Sequence, residues 1–95
     1  MAIQGKSIFA PAPSCVSRFH QESESVEVVC IGPEMKVYTI DGVSGFIWRQ
    51  LDGKTSVQSV LKKIMSEFEV TAAKAKRDLE AFVEQLLLLE LIQER

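Results

Sequence analysis

Several features that would indicate a metalloprotein or a secreted protein are scarce in this sequence. The 95 residues contain two cysteines, one histidine and five scattered glycines. A disulfide framework needs more cysteines, a structural zinc site needs four ligands, and a phosphate-binding loop needs clustered glycines. We therefore expect no metal and no cofactor, and we interpret Cys15 and Cys30 as thiols on small apolar side chains rather than as a disulfide or a metal site.

Motifs for catalysis are also missing. Residues 42–46 read Gly-Val-Ser-Gly-Phe, so Phe46 stands where a nucleophile elbow requires glycine. The single histidine, His20, begins a polar stretch that is typical of an exposed loop. The carboxylates are spaced as on a solvated helix face, not as a catalytic pair. We predict that the chain is not an enzyme.

Long apolar runs and a strong net charge are absent as well. No run approaches the ~20 residues that a membrane helix needs, and residues 1–13 lack the apolar core of a signal peptide. The net charge is −2, with seven basic and three acidic residues over 49–77 but one basic and five acidic residues over 78–95. We expect a cytoplasmic protein that binds neither membranes nor nucleic acid.

The first part of the chain reads as an arm followed by three strands. Pro11 and Pro13 disfavour regular structure, so residues 1–13 are predicted to be a flexible N-terminal arm and residues 14–95 a single domain. Strands are predicted over residues 14–19, 26–31 and 35–40, where β-branched and apolar residues recur. Short connections favour an antiparallel meander whose third strand lies at an edge.

Three helices are predicted to follow. Asp41 is placed to cap the first helix with its carboxylate, and Asp52-Gly53 to end it. Thr55 is predicted to cap the second helix through a capping box with Gln58, and Thr71 to cap the third. The fold class is therefore α+β, a three-stranded antiparallel sheet followed by three helices. The four leucines 86–89 cannot all face one core, so at least one should line a second surface.

The order of these elements resembles the PqqD-like family. Residues 38–41 read Tyr-Thr-Ile-Asp, and the helix after them ends Ile-Trp-Arg-Gln-Leu-Asp-Gly at residues 47–53. Residues 78–86 read Asp-Leu-Glu-Ala-Phe-Val-Glu-Gln-Leu and match a further family segment. The resemblance covers residues 11–92, with Asp41 in place of the usual asparagine and Glu90 in place of a glycine that usually ends the last helix. A strained or frayed end of that helix is expected from the second difference.

The resemblance implies a winged helix-turn-helix-like peptide chaperone, or precursor-peptide recognition element. Such a domain binds the leader of a ribosomally made precursor peptide and presents it to a radical S-adenosylmethionine (SAM) maturase; in the namesake pathway the product is pyrroloquinoline quinone (PQQ). An open edge strand, blunted only by Lys36, is independently suited to adding a peptide strand. We expect the peptide to contact this strand and the third helix, at Lys36, Val37, Tyr38, Thr39, Lys76, Leu79, Val83 and Leu87.

Two other functions are compatible with the pattern. A winged-helix DNA-binding protein would use Lys74, Lys76 and Arg77 at the start of the third helix, although that helix becomes acidic from Asp78 onward. A structural subunit would dock on an enzyme through leucines 86–89 without binding a peptide. The open edge also permits a homodimer that would compete with peptide capture.

Overall fold

Two antiparallel sheets and three helices make up the fold in the computed structural model, which describes residues 3–95. The elements are β1 (Phe9–Pro11), β2 (Cys15–His20), β3 (Ser25–Cys30), β4 (Lys36–Asp41), α1 (Gly42–Gln50), α2 (Val57–Glu67), α3 (Ala72–Leu88) and β5 (Ile92–Glu94). One sheet has the order β2-β3-β4, and β1 pairs with β5 in the other. The α+β class and the antiparallel meander followed by three helices are thereby confirmed.

One face of the three-stranded sheet packs against the helices. Val28, at the centre of β3, is fully buried and lies in register between Ser17 and Tyr38. Side chains on a strand alternate between faces, so Val26 shares this core face while Val37 on β4 points away from it. Val26 is 2% exposed and Val37 57%. The apolar side chains that complete the core come mainly from the helices: Ile47, Trp48, Leu51, Val57, Val60, Ile64, Ala75, Leu79, Val83 and Leu86.

The segment predicted to be a flexible arm instead contributes to the core. Phe9 is 2% exposed, and β1 pairs with β5 in the register Phe9↔Glu94 and Pro11↔Ile92. The backbone of Phe9 also accepts a hydrogen bond from the N–H of Gly53 at 2.9 Å. Pro11 is tolerated because the neighbouring pair Ala12 and Leu91 is the hydrogen-bonded one, so Pro11, opposite Ile92, needs no N–H toward β5. Residues 1 and 2 of the predicted arm lie outside the described residues.

The helix boundaries agree with the predictions more closely than the capping contacts do. The change from strand to helix occurs at Asp41, but its side chain makes no capping hydrogen bond. Gly42 follows with a φ of +60°. This left-handed backbone turns the Asp41 side chain away from the N–H groups of the first helical turn. At α2 the cap is Ser56, not Thr55: the Ser56 hydroxyl accepts the N–H of Ser59 at 3.2 Å.

Nearby contacts explain the difference at Thr55 and support the remaining two predictions. Thr55 donates its N–H and its hydroxyl to the carboxylate of Asp52, which competes with the predicted capping box. Gly53 adopts the predicted left-handed turn, with a φ of +80°. At α3, Thr71 is the cap as predicted, because its hydroxyl accepts the N–H of Lys74 at 3.2 Å.

Helix α3 ends in a left-handed turn at a residue other than glycine. Glu90 has a φ of +59°. The N–H of Leu91 donates to the carbonyl of Leu86 at 2.9 Å, and the N–H of Glu90 donates to that of Leu87 at 3.0 Å. These two bonds form a Schellman motif, in which glycine is the usual residue at the left-handed position. The strain expected at Glu90 is therefore present, and the turn directs the chain into β5.

Candidate functional site

The outer side of β4 is an open sheet edge among residues 3–95, because β4 hydrogen-bonds to β3 alone. The hydrogen bonds between β2 and β3 determine in which direction the backbone groups of β4 point. The N–H of Ile31 donates to the carbonyl of Ser14, so these two residues form a hydrogen-bonded pair and the adjacent pair, Cys15↔Cys30, does not. Residues of a central strand bond alternately to their two neighbours, so Val28 and Cys30 direct their backbone groups toward β4.

The same alternation assigns the free backbone groups of β4. Lys36 and Tyr38 are in register with Cys30 and Val28, so their N–H and C=O groups point inward to β3. Val37 and Thr39 therefore direct their N–H and C=O groups toward the open side. These two residues offer two donors and two acceptors in the pattern that a further antiparallel strand requires.

A cavity of about 330 Å³ lies between the beginning of β4 and the end of α3. Its apolar wall comes from Leu88 and Leu89, which are 85% and 43% exposed, and Lys36 and Glu90 supply charges of opposite sign. The complete lining is Ser14, Cys15, Cys30, Lys36, Tyr38, Leu88, Leu89, Glu90 and Leu91. An exposed apolar wall beside an open strand can bind an extended segment through backbone and side-chain contacts together.

A smaller apolar depression of about 70 Å³ lies between α1, α2 and the first turns of α3. Val43, two residues beyond the end of β4, lines one side of it, and Lys74 and Asp78 line another. The Lys74 ammonium donates to the Asp78 carboxylate at 2.8 Å, and this hydrogen bond lowers the pKa of Asp78 below its ordinary value. The remaining lining residues are Ile47, Ile64, Phe68, Val70 and Ala75. The depression is wide enough for part of one apolar side chain.

The structure brings the four predicted β4 residues to the open edge. Lys36 and Tyr38 line the cavity of about 330 Å³. Val37 and Thr39 present the free backbone groups, while their side chains are exposed on the sheet face opposite the core. Backbone contacts are therefore available at Val37 and Thr39, and side-chain contacts at Lys36 and Tyr38.

The 330 Å³ cavity, with Leu88 and Leu89 as its apolar wall, forms a groove beside β4. The predicted residues of α3 do not lie on the surface of this groove. Leu79 and Val83 are 1% and 0% exposed and belong to the core. Their apolar spacing reports the face that packs on the sheet, whereas a groove beside a helix is lined by the positions that flank this face. Lys76 is exposed but lies about 200° around the helix from Lys74. Neither Lys76 nor the half-buried Leu87 lines either cavity in the described part of the chain.

Leu88 and Leu89 are the groove residues that the sequence-based list omits. The run of four leucines predicted that at least one would face a second surface, and this is confirmed. Their assignment to this groove needed the turn at Glu90, which fixes where α3 stops relative to β4.

Among residues 3–95 there is no cluster of three or more histidine, cysteine or acidic side chains that could hold a metal ion. No described helix is both long and apolar enough to cross a bilayer.

Comparisons with known proteins give one family and one solved structure. A family model described as coenzyme PQQ synthesis protein D (PqqD) matches residues 27–92. A solved structure described as TbiB1 in complex with the TbiA(beta) leader peptide is similar to this chain with a TM-score of 0.78 and 23% sequence identity. The match covers 88% of this chain and 94% of that chain, and at this identity it shows a shared fold. No curated protein matches the sequence.

Proposed function

Because the chain belongs to the PqqD family, we propose that it is a non-catalytic peptide chaperone. It binds the leader of a ribosomally made precursor peptide by strand addition to β4 and presents the peptide to a radical SAM maturase, for PQQ or a related modified peptide. The observation that carries the proposal is the open edge of β4 beside the exposed leucines at the end of α3. The leader peptide in the structure of TbiB1 is consistent with it.

The proposed interface has enough contacts for a moderate affinity. Four backbone hydrogen bonds at Val37 and Thr39, each worth a net ~1 kcal/mol, give about 4 kcal/mol. A micromolar complex needs about 8 kcal/mol. The remaining ~4 kcal/mol, plus at least ~4 kcal/mol for the freedom lost on association, corresponds to roughly 320 Å² of apolar surface removed from water. Leu88 and Leu89 are the exposed apolar side chains of the 330 Å³ cavity and, together with the leader side chains that cover them, can supply this area.

Charge should adjust the preference for particular leaders. Lys36 and Glu90 line the same cavity, so a leader with an acidic residue near Lys36 and a basic residue near Glu90 fits best. Both side chains are exposed, so each contact is weak and becomes weaker as salt is added. Added salt should therefore change which leaders bind best, but it should not abolish binding.

The DNA-binding alternative has less support than peptide binding. Among the three cations near the start of α3, Lys74 already pairs with Asp78 at 2.8 Å. The part of α3 that follows is acidic, with Glu80 half-buried and Glu84 exposed. A phosphate backbone would be repelled by such a segment.

We also place the protein in the cytoplasm, where precursor peptides are synthesised.

The test is a titration with labelled peptides that cover short reading frames beside the gene, with random duplex DNA as a second ligand. The variant Val37→Pro removes an outward N–H from β4, where an edge strand tolerates proline. We expect it to weaken binding at least about tenfold, since one bond is lost and the ring crowds the added strand. The matched control is Ser17→Pro, which by the same alternation removes an outward N–H from the other edge, β2. Equal effects of the two variants, or binding of DNA alone, would refute the proposal.

A homodimer through β4 is the proposed competing state. Two copies that pair their β4 edges would occupy the same N–H and C=O groups that the peptide needs. Light scattering should then show any dimer shifting to monomer as the leader is added. A dimer that binds the leader without dissociating would place the dimer contact elsewhere.

A further inference from the structure

Two cysteines face each other across β2 and β3. Cys15 and Cys30 are in register, and their Sγ atoms lie 2.8 Å apart as free thiols. They form a non-hydrogen-bonded pair, as the bond from Ile31 to Ser14 shows, and such pairs bring side chains closest, with Cα atoms ~4.5 Å apart. A disulfide accepts Cα separations of about 4.4–6.8 Å. The strands therefore hold the two sulfurs where a bond can form with a movement of less than ~1 Å.

The pair is open to small reagents on one side. Cys15 is 8% exposed, whereas Cys30 is half-buried, and both line the 330 Å³ cavity beside β4. The ionisable groups that line the same cavity are Lys36 and Tyr38 on β4 and Glu90 after α3. A small disulfide can therefore reach Cys30 through the cavity, and Cys15 lies behind it as the second sulfur.

We propose that Cys15 and Cys30 are a reversible dithiol–disulfide site that exchanges with low-molecular-weight disulfides of the glutathione class. The Cys30 thiolate attacks one sulfur of oxidised glutathione, and one glutathione leaves as a thiolate that takes up a proton. Cys15 then gives up its proton, attacks Sγ of Cys30 in the mixed disulfide, and displaces the second glutathione. Two protein thiols and one glutathione disulfide become one protein disulfide and two reduced glutathiones, a two-electron exchange.

The surroundings of Cys30 set the rate of the exchange. Burial and the hydrogen bond with Cys15 raise the pKa of Cys30 to about 11, against a smaller opposing effect of Lys36. The thiolate is the reactive species. The exchange should therefore be slow near pH 7, and its rate should rise about tenfold for each pH unit up to the pKa of Cys30. A reducing compartment holds the site as two thiols, and an oxidised thiol pool converts it. This site does not depend on the proposed peptide function.

The cross-link should be visible in stability as well as in mass. It ties the two strands of one hairpin into a closed loop between residues 15 and 30. A loop of this size restricts the unfolded chain enough to raise the melting temperature by roughly 10–20 °C if the bond is unstrained.

The experiment treats the reduced full chain with oxidised glutathione at pH 8.5 and follows intact mass under non-reducing conditions. We expect a monomer lighter by two hydrogens, restored by excess dithiothreitol, and formed about 30-fold more slowly at pH 7. The variant Cys15→Ala keeps the accessible thiol but has no second sulfur, so it should stop as a stable adduct with one glutathione. Three results would overturn the proposal: a wild-type chain that retains glutathione, one that forms disulfide-linked dimers instead, and one whose mass is unchanged at pH 8.5.

Discussion

Substitution of Phe9 tests whether the segment before the first long strand is part of the fold. Phe9 is 2% exposed and is among the largest fully buried side chains of the protein. Replacement of such a phenylalanine by alanine removes its transfer free energy and leaves a cavity, at a cost of about 3–5 kcal/mol. A domain of this length has a free energy of unfolding of roughly 5–14 kcal/mol. Phe9→Ala should therefore remove a large part of the stability and lower the melting temperature by at least ~12 °C.

The sequence provides an optical probe for this measurement. Trp48 is the only tryptophan and is 3% exposed, so its fluorescence should change when the core opens in urea. Val16→Ala is the control, because Val16 is 56% exposed on the outer face of the sheet and its loss should cost less than ~0.5 kcal/mol. A flexible arm would make Phe9→Ala as mild as the control. Equal unfolding midpoints for the two variants would refute the packing of β1 on the core.

Two further predictions concern helix ends. Glu90→Gly should raise the free energy of unfolding by about 1 kcal/mol, because glycine adopts the φ of +59° without steric cost; urea unfolding measures the gain, and a loss of stability would contradict it. The pKa of Asp52 is lowered by the backbone N–H groups of Lys54 and Thr55 and by the Thr55 hydroxyl. A lowered folded-state pKa adds stability above the unfolded pKa near 3.8, and that stability is lost as pH falls through the folded value. Asp52→Asn should therefore lose less stability than wild type between pH 6 and pH 2; an unchanged pH profile would contradict this.

The main sheet and the helices could be predicted because each has a strong local pattern. Val26 and Val28 alternate with polar or less buried residues, and the apolar positions of α2 recur at helical spacing up to Ile64. Such patterns report which side of an element is buried. They predicted the edge position of β4 as well, since a meander with short turns leaves its last strand outside.

The β1–β5 sheet could not be predicted in the same way. Each strand has three residues, which is too short for a period to be visible, and β1 ends in Pro11. The pairing joins opposite ends of the described chain, with Phe9 opposite Glu94, so local sequence holds no sign of it. The prediction of an arm followed from the prolines and overlooked the one large aromatic side chain beside them.

The predicted contact residues of β4 lie at the open edge of the sheet, whereas those of α3 do not line the groove. Backbone direction on β4 follows from register, which the hydrophobic pattern constrains. On α3 the same pattern selected Leu79 and Val83, whose apolar character places them in the core. Leu88 and Leu89 are apolar and exposed, a combination that becomes recognisable only when the end of the helix is known.

Hydrogen exchange at the amides of Val37 and Thr39 tests the proposed strand addition most directly. In the free protein both N–H groups point toward the open side of β4, so both should exchange quickly, whereas those of Lys36 and Tyr38 are paired with β3. Addition of a leader peptide should slow exchange at Val37 and Thr39 by at least about tenfold and leave the amide of Ser17, on the other edge, unchanged. Unaltered exchange at Val37 and Thr39 in a saturated complex would show that the peptide binds elsewhere.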